Sequence, residues 1–246
     1  FVIAPIPAHH GGSVCRIGVR HTIALFPFVD EPAGAYGEYH SAAQRAAVVD
    51  ALVRLHRAPP GVARVDRPEV PNRAGLERTL VEAAVPWSNG AYAPPAWTHF
   101  ARHAPRIREL LDRFDSLAAD VLASINEPVL THGEPHPGNV VFAGERVKLV
   151  DWDTVAVAVP ERDLWMLDLG DERDQYERAT GRAVDDAAIE LYRVRWYLDD
   201  IASAVHTLRS PHDADADTER TWNWFRNAFE TDGVWPYARQ FDERLL

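Results

Sequence analysis

Cysteine, methionine and lysine are almost missing from this sequence: Cys15, Met166 and Lys148 are each the only one of their kind in 246 residues. A lone cysteine excludes an intramolecular disulfide framework and any cysteine-rich metal cage. Positive charge is also short. With 26 Lys plus Arg against 37 Asp plus Glu, the formal net charge is −11. Nucleic acid is thereby a poor partner, because binding it needs a basic stripe that displaces counterions from phosphates. An acidic surface favours cationic ligands, although only weakly. A long apolar run is lacking too. Phe1–Ala8 is apolar but holds Pro5 and Pro7 and has no basic flank, so it reads as neither signal peptide nor membrane span. No membrane partner and a reducing, cytoplasmic location are the expectation. What remains is a composition that folds: 46% hydrophobic, 10% aromatic and 26% charged residues suit one large core and not a disordered chain.

Along the chain, 1–29 reads as β. Val2-Ile3-Ala4, Val14–Val19 and Ile23–Val29 are short apolar or alternating runs, broken by His9-His10-Gly11-Gly12 and Arg20-His21. Glu38–Arg57 reads as a helix with Ala42, Ala46, Val49, Val53 and His56 on one face, stopped by Pro59-Pro60-Gly61. A short helix is expected over 74–84. From Trp97 to Ile125, the residues Ile107, Leu110, Leu111, Phe114, Leu117, Val121, Leu122 and Ile125 fall at spacings of three and four, a core stripe. Leu191, Val194, Leu198, Ile201, Val205 and Leu208 form a second stripe, and Thr221–Phe229 a further helix. Asp213–Glu219 reads as a solvated acidic turn.

Between the two stripes the pattern changes. Thr131-His132-Gly133-Glu134-Pro135-His136-Pro137-Gly138-Asn139 holds two prolines and two glycines, which forbid a regular helix or central strand and give a loop of enforced shape. Val140–Phe142 and Arg146–Val150 read as hairpin strands about Ala143-Gly144-Glu145. Asp151, followed by Trp152 and Asp153, thus ends a strand whose partner begins beside Asn139. Phosphoryl transfer needs such a set. A carboxylate orients or deprotonates the acceptor hydroxyl, and hard oxygens hold the magnesium that neutralises the phosphates. The interval from Glu134 to Asn139 equals that between the aspartate and asparagine of the protein-kinase catalytic loop.

These residues resemble the aminoglycoside phosphotransferase family, related in fold to protein kinases, whose loop reads H-G-D-x-H-x-x-N and whose metal strand ends in D-W-D. Pro160-Glu161-Arg162-Asp163-Leu164 matches the family's segment after that strand, and Ala24-Leu25-Phe26-Pro27-Phe28-Val29 looks like its adenine-binding hinge. The resemblance covers essentially the whole chain. It implies an α+β, protein-kinase-like fold, with a partial N-lobe β-sheet and hinge over 1–30 and a mainly helical C-lobe over 31–246. It implies a transferase that uses ATP (or GTP) and Mg2+ on a hydroxyl of a small, aminoglycoside-like acceptor, as in antibiotic resistance. Glu134 takes the catalytic-base position, Asn139 and Asp151 the metal positions, and Asp153 a ligand or supporting one. His132, His136 and Asp163 support the loop, with His136 open to a share in proton handling. The backbone of Phe26, Pro27, Phe28 and Val29 meets adenine, Pro27 without an N–H to give. In the family, carboxylates of C-lobe helices meet acceptor amino groups; Trp196, Asp199 and Asp200, off the second stripe, are the candidates, against a plain solvated face.

Two departures stand out. Glu134 replaces the family's aspartate, keeping the charge but reaching one methylene farther. Lys148, three residues before Asp151, lies on the metal strand and not where a kinase places its phosphate-binding lysine, and Gly11-Gly12 is followed by none. About the first three strands of the N-lobe are accordingly expected to lie outside this chain. Two other readings stay open: a non-catalytic kinase-fold module that binds a ligand, and a metal-dependent hydrolase using His132, Glu134 and His136 as an H-x-E-x-H set.

Overall fold

A computed structural model describes residues 1–9, 11–31, 34, 41–61, 63–124, 127–143, 146–167 and 170–229. Packing divides the chain into two compact units: Phe1–Asp66 with Pro128–Val184, and Arg67–Glu127 with Asp185–Leu246. Residues 1–30 fall in the first.

The first unit opens with an antiparallel hairpin, β1 (Cys15–Ile17) and β2 (His21–Ile23), in the register Cys15↔Ile23 and Ile17↔His21. Gly18 makes its turn at φ +61, a conformation that costs little only without a Cβ. Residues 24–29, expected as strand together with Ile23, form none: one backbone bond, from Ile6 N–H to Leu25 O at 2.7 Å, does not make a ladder. Val14, Ile17, Val19, Ile23, Leu25 and Phe28 are each more than half exposed. Helix α1 (Ala42–His56) starts where the Ser41 hydroxyl accepts from the Gln44 amide at 3.2 Å, and it buries Val48, Val49, Leu52 and Leu55. The expected start at Glu38 lies outside the described residues.

Two small sheets follow. β3 (Val129–Thr131) pairs antiparallel with β6 (Ala156–Ala158), and β4 (Val140–Ala143) with β5 (Arg146–Leu149). The hairpin thus forms where it was expected. The chain start joins it: Leu149 N–H donates to Phe1 O at 2.8 Å, and Val2 makes one parallel bridge to Leu149. β6 was not foreseen; all three of its residues are buried, so no polar alternation marks it. Helices α4 (Glu161–Leu164) and α5 (Asp171–Thr180) complete the unit, α5 ending on left-handed Gly181 and packing against α1.

The second unit is helical: α2 (Arg73–Val81), α3 (Ala93–Ser124), α6 (Asp186–Arg209) and α7 (Ala216–Asn227). Both stripes are its core. Ile107, Leu110, Phe114 and Leu117 of α3, and Leu191, Val194, Leu198 and Ile201 of α6, are almost wholly buried, and α3 packs along α6. Leu122 departs from the expectation, half exposed as the stripe drifts out of line near the helix end. The acidic turn before α7 does more than meet solvent. Asp215 is the N-cap, its carboxylate accepting from the amides of Asp217 (3.0 Å) and Thr218 (2.8 Å), with the Thr218 hydroxyl closing the capping box.

Candidate active site

The site is built on the loop between β3 and β4. A single buried carboxylate holds its first residues: Asp163, in α4, accepts from His132 N–H at 2.8 Å and from Gly133 N–H at 2.6 Å. The other side of that carboxylate faces α1, where His56 Nε2 donates to Oδ2 at 3.1 Å, and His56 Nδ1 lies 2.8 Å from the Tyr176 hydroxyl of α5. Burial pushes the Asp163 carboxyl up, but the His56 hydrogen bond and the nearby Arg162 guanidinium outweigh burial and hold it below the usual carboxylate range.

His132 ties the loop to Val150, just past the end of β5 and one residue before Asp151; the expected strand end at Asp151 falls at Leu149 instead. Its Nδ1 accepts from Glu134 N–H at 3.3 Å, so the ring proton is on Nε2, which donates to Val150 O at 2.8 Å. The ring also packs on Trp152, centroids 4.6 Å apart, and Thr154 Oγ1 donates to His132 O at 2.8 Å. Burial pushes the His132 pKa down, against the pull of Asp163, in keeping with a neutral ring.

Pro137–Asn139 form one 3-10 turn, and Asn139 closes the loop twice. Its side-chain Nδ2 donates to Glu134 O at 3.0 Å, and its backbone O accepts from Val150 N–H at 3.0 Å. Glu134, Asn139 and the residue before Asp151 therefore belong to one hydrogen-bonded cluster. Asn139 is buried and Glu134 half-buried, while Asp151 and Asp153 are exposed. Asp151 sits at φ +63, a left-handed conformation that is strained for a residue with a Cβ and concentrates at functional sites. Its charge reaches both His132 and His136, and burial pushes the His136 pKa down. With Nδ2 committed to the loop, Asn139 keeps Oδ1 as its side-chain acceptor. Two carboxylates and one amide oxygen suit Mg2+, which keeps waters and takes phosphate oxygens as its other ligands.

The H-x-E-x-H metal set does not fit. Both ring nitrogens of His132 are taken by backbone groups. Among the described residues, no group of three or more His, Cys, Asp or Glu is arranged to hold a metal ion. Elsewhere, Phe26 and Phe28 are 51% and 88% exposed and, with Pro27 and Val29, lie outside any strand. Trp196, Asp199 and Asp200, on α6 in the second unit, are half-buried and not on a plain solvated face; burial pushes the Asp199 carboxyl up, with Arg195 opposing. His56, Asp66 and Arg162 were not foreseen as site residues. The usable signals were a histidine on the apolar face of α1 and an arginine inside the Pro160–Leu164 motif.

The loop runs directly into the β4–β5 hairpin, and comparison with known proteins identifies the family. The model of the phosphotransferase enzyme family matches residues 20–203. The chain is 29% identical over 237 residues to Protein StrN of Streptomyces griseus, covering 90% of this chain and 69% of that one. Among solved structures, a spectinomycin phosphotransferase in complex with ADP and spectinomycin superimposes with a TM-score of 0.80 at 20% identity, over 98% of this chain and 78% of that one. An aminoglycoside phosphotransferase from Alicyclobacillus acidocaldarius gives a TM-score of 0.61 at 13% identity, over 99% and 77% of the two chains. The chain belongs to the phosphotransferase enzyme family, and its fold is protein-kinase-like.

Proposed function

We propose that this chain transfers the γ-phosphoryl group of ATP (or GTP) to a hydroxyl of a small, cationic acceptor of the aminoglycoside or aminocyclitol kind. The observation that carries the reading is the hydrogen-bonded cluster joining Glu134, Asn139 and Val150 through His132 and Asp163. The cluster fixes the backbone at Glu134, Asn139 and Val150, which supports the reading because holding an acid group and hard oxygen ligands in fixed relation is most of what this chemistry asks of a protein.

In this reading the Glu134 carboxylate accepts the acceptor's hydroxyl proton and aims its oxygen at the γ-phosphorus. Asn139 Oδ1, Asp151 and Asp153 hold magnesium, which neutralises the phosphate charge when bound. The backbone of Phe26–Val29 meets adenine, and residues 1–30 serve as N-lobe strands and hinge. Asp199 and Asp200, with Trp196, meet acceptor amino groups. Glutamate in place of aspartate is accommodated because the base mainly positions the hydroxyl, so its extra methylene shifts geometry more than acidity. The relatives are the support for the acceptor class: one solved neighbour was captured with ADP and spectinomycin. Whether the product serves antibiotic resistance or metabolism depends on the acceptor. No described helix is long and apolar enough to cross a membrane, and a cytoplasmic setting, where ATP is at hand, completes the proposal.

The test is incubation with ATP, Mg2+ and a panel of aminocyclitols and aminoglycosides, followed by mass spectrometry. One acceptor gaining one phosphoryl group is the expected result. The second reading, a ligand-binding module without turnover, is favoured by the position of the sole lysine, Lys148, on β5 opposite Val141. Magnesium-dependent nucleotide binding without any phosphorylated product would select it.

A further inference from the structure

We propose that Arg162, with Asp66 as its counter-ion, is a positioning residue that fixes the separation of the catalytic loop from the segment after β5 that carries Asp151 and Asp153. The inference rests on the phosphotransferase reading of that site. The Arg162 side chain is 5% exposed and Asp66's is 6% exposed, with Nε 3.3 Å from Oδ2. Its two other nitrogens are spent on opposite walls of the site. Nη1 donates to Thr131 Oγ1 at 2.8 Å, where β3 enters the loop, and Nη2 donates to Thr154 O at 2.8 Å, just beyond Asp153. Both walls are tied further: Thr131 Oγ1 donates to Ala156 O, and Thr154 Oγ1 to His132 O.

Gly133 makes the arrangement possible. It sits at φ +102, and a Cβ built there would stand 2.5 Å from Nη1 and Nη2 and 2.7 Å from Cζ of Arg162. The guanidinium therefore lies directly on the loop backbone one residue before Glu134. Asp66 is delivered by pairing along β6, where Asp66 N–H donates to Val157 O at 2.9 Å and Val157 N–H to Arg64 O at 2.7 Å. A rigid fork can span two walls and meet a carboxylate at once, which a lysine's point charge cannot.

The experiment compares the full chain with Arg162→Lys, Arg162→Gln and Asp66→Asn, in magnesium-dependent ATP turnover and in amide hydrogen exchange. Misplacing reacting groups by about an ångström costs up to about 10²-fold in rate. Arg162→Lys is expected to lower kcat at least tenfold with KM for ATP within twofold. It should also speed exchange at His132, Gly133 and Glu134 more than in α3 or α6, and Asp66→Asn should do the same to a smaller degree. If Arg162→Gln does not fold, the lysine variant decides. Wild-type kcat and loop exchange in both Arg162→Lys and Asp66→Asn would overturn the proposal, and so would acceleration spread evenly over the chain. If the unaltered chain turns over no nucleotide, the phosphotransferase reading fails, and the exchange pattern alone decides whether Arg162 positions the loop.

Discussion

Replacing Asp163 by asparagine isolates the carboxylate on which the loop hangs. The side chain is fully buried and serves His132 N–H, Gly133 N–H and His56 Nε2. Asparagine keeps the shape but offers one oxygen, so one backbone N–H or the histidine must face an NH2 group that cannot accept. Hydrogen bonds to a charged group are worth about 1.5–3 kcal/mol each, and breaking a buried pair costs about 3–5 kcal/mol. A loss near 3–4 kcal/mol is expected at pH 7, or about 10 °C in Tm for a chain of this length. The pH dependence sharpens the test. The folded carboxyl lies below its unfolded value, so its contribution is complete above about pH 4 and is lost as pH falls through the folded value. Denaturant midpoints of wild type and Asp163→Asn should therefore differ from pH 7 down to about 5 and converge below about 4. A Tm change under about 2 °C, or a gap that persists undiminished at pH 3, would refute the reasoning.

The other predictions address separate parts of the molecule. Glu134→Gln should lower turnover about 10²-fold or more while nucleotide affinity stays nearly unchanged; if circular dichroism shows an unfolded protein instead, the residue is structural. His99, packed against His103, Phe225 and Phe229, has its pKa pushed down from 6.5 to about 4, chiefly by burial and then by His103 and Arg102. That stabilisation is complete above about pH 6.5 and fades as pH falls toward 4. His99→Leu should remove an acid-side slope of up to about 1.4 kcal/mol per pH unit in that window, and identical slopes would contradict it.

The part of the site written within one stretch was readable, and the part assembled from afar was not. Prolines and glycines between Thr131 and Asn139 dictate a loop, and the hairpin that follows brings Asn139 to Val150; both follow from local chemistry. Asp163 was reachable only through a motif match. His56 and Asp66 meet α4 by tertiary packing across about a hundred residues, and nothing local announces such a meeting. Likewise 24–29 has strand-forming residues but only one backbone bond, from Ile6 N–H to Leu25 O, and β6 has a partner but no alternation. Both misreadings arise because strands are made by neighbours more than by propensity. Helical stripes, by contrast, carry their periodicity within themselves, and those of α3 and α6 were legible almost to the last residue.

The central claim is that the Glu134 loop and the Asp151 segment after β5 serve one phosphoryl transfer. The direct measurement follows γ-labelled ATP with Mg2+ and an aminocyclitol panel, for the full chain beside Asp151→Ala. Label should pass to one acceptor hydroxyl with the unaltered chain and to none with Asp151→Ala. Transfer undiminished by Asp151→Ala would contradict the account.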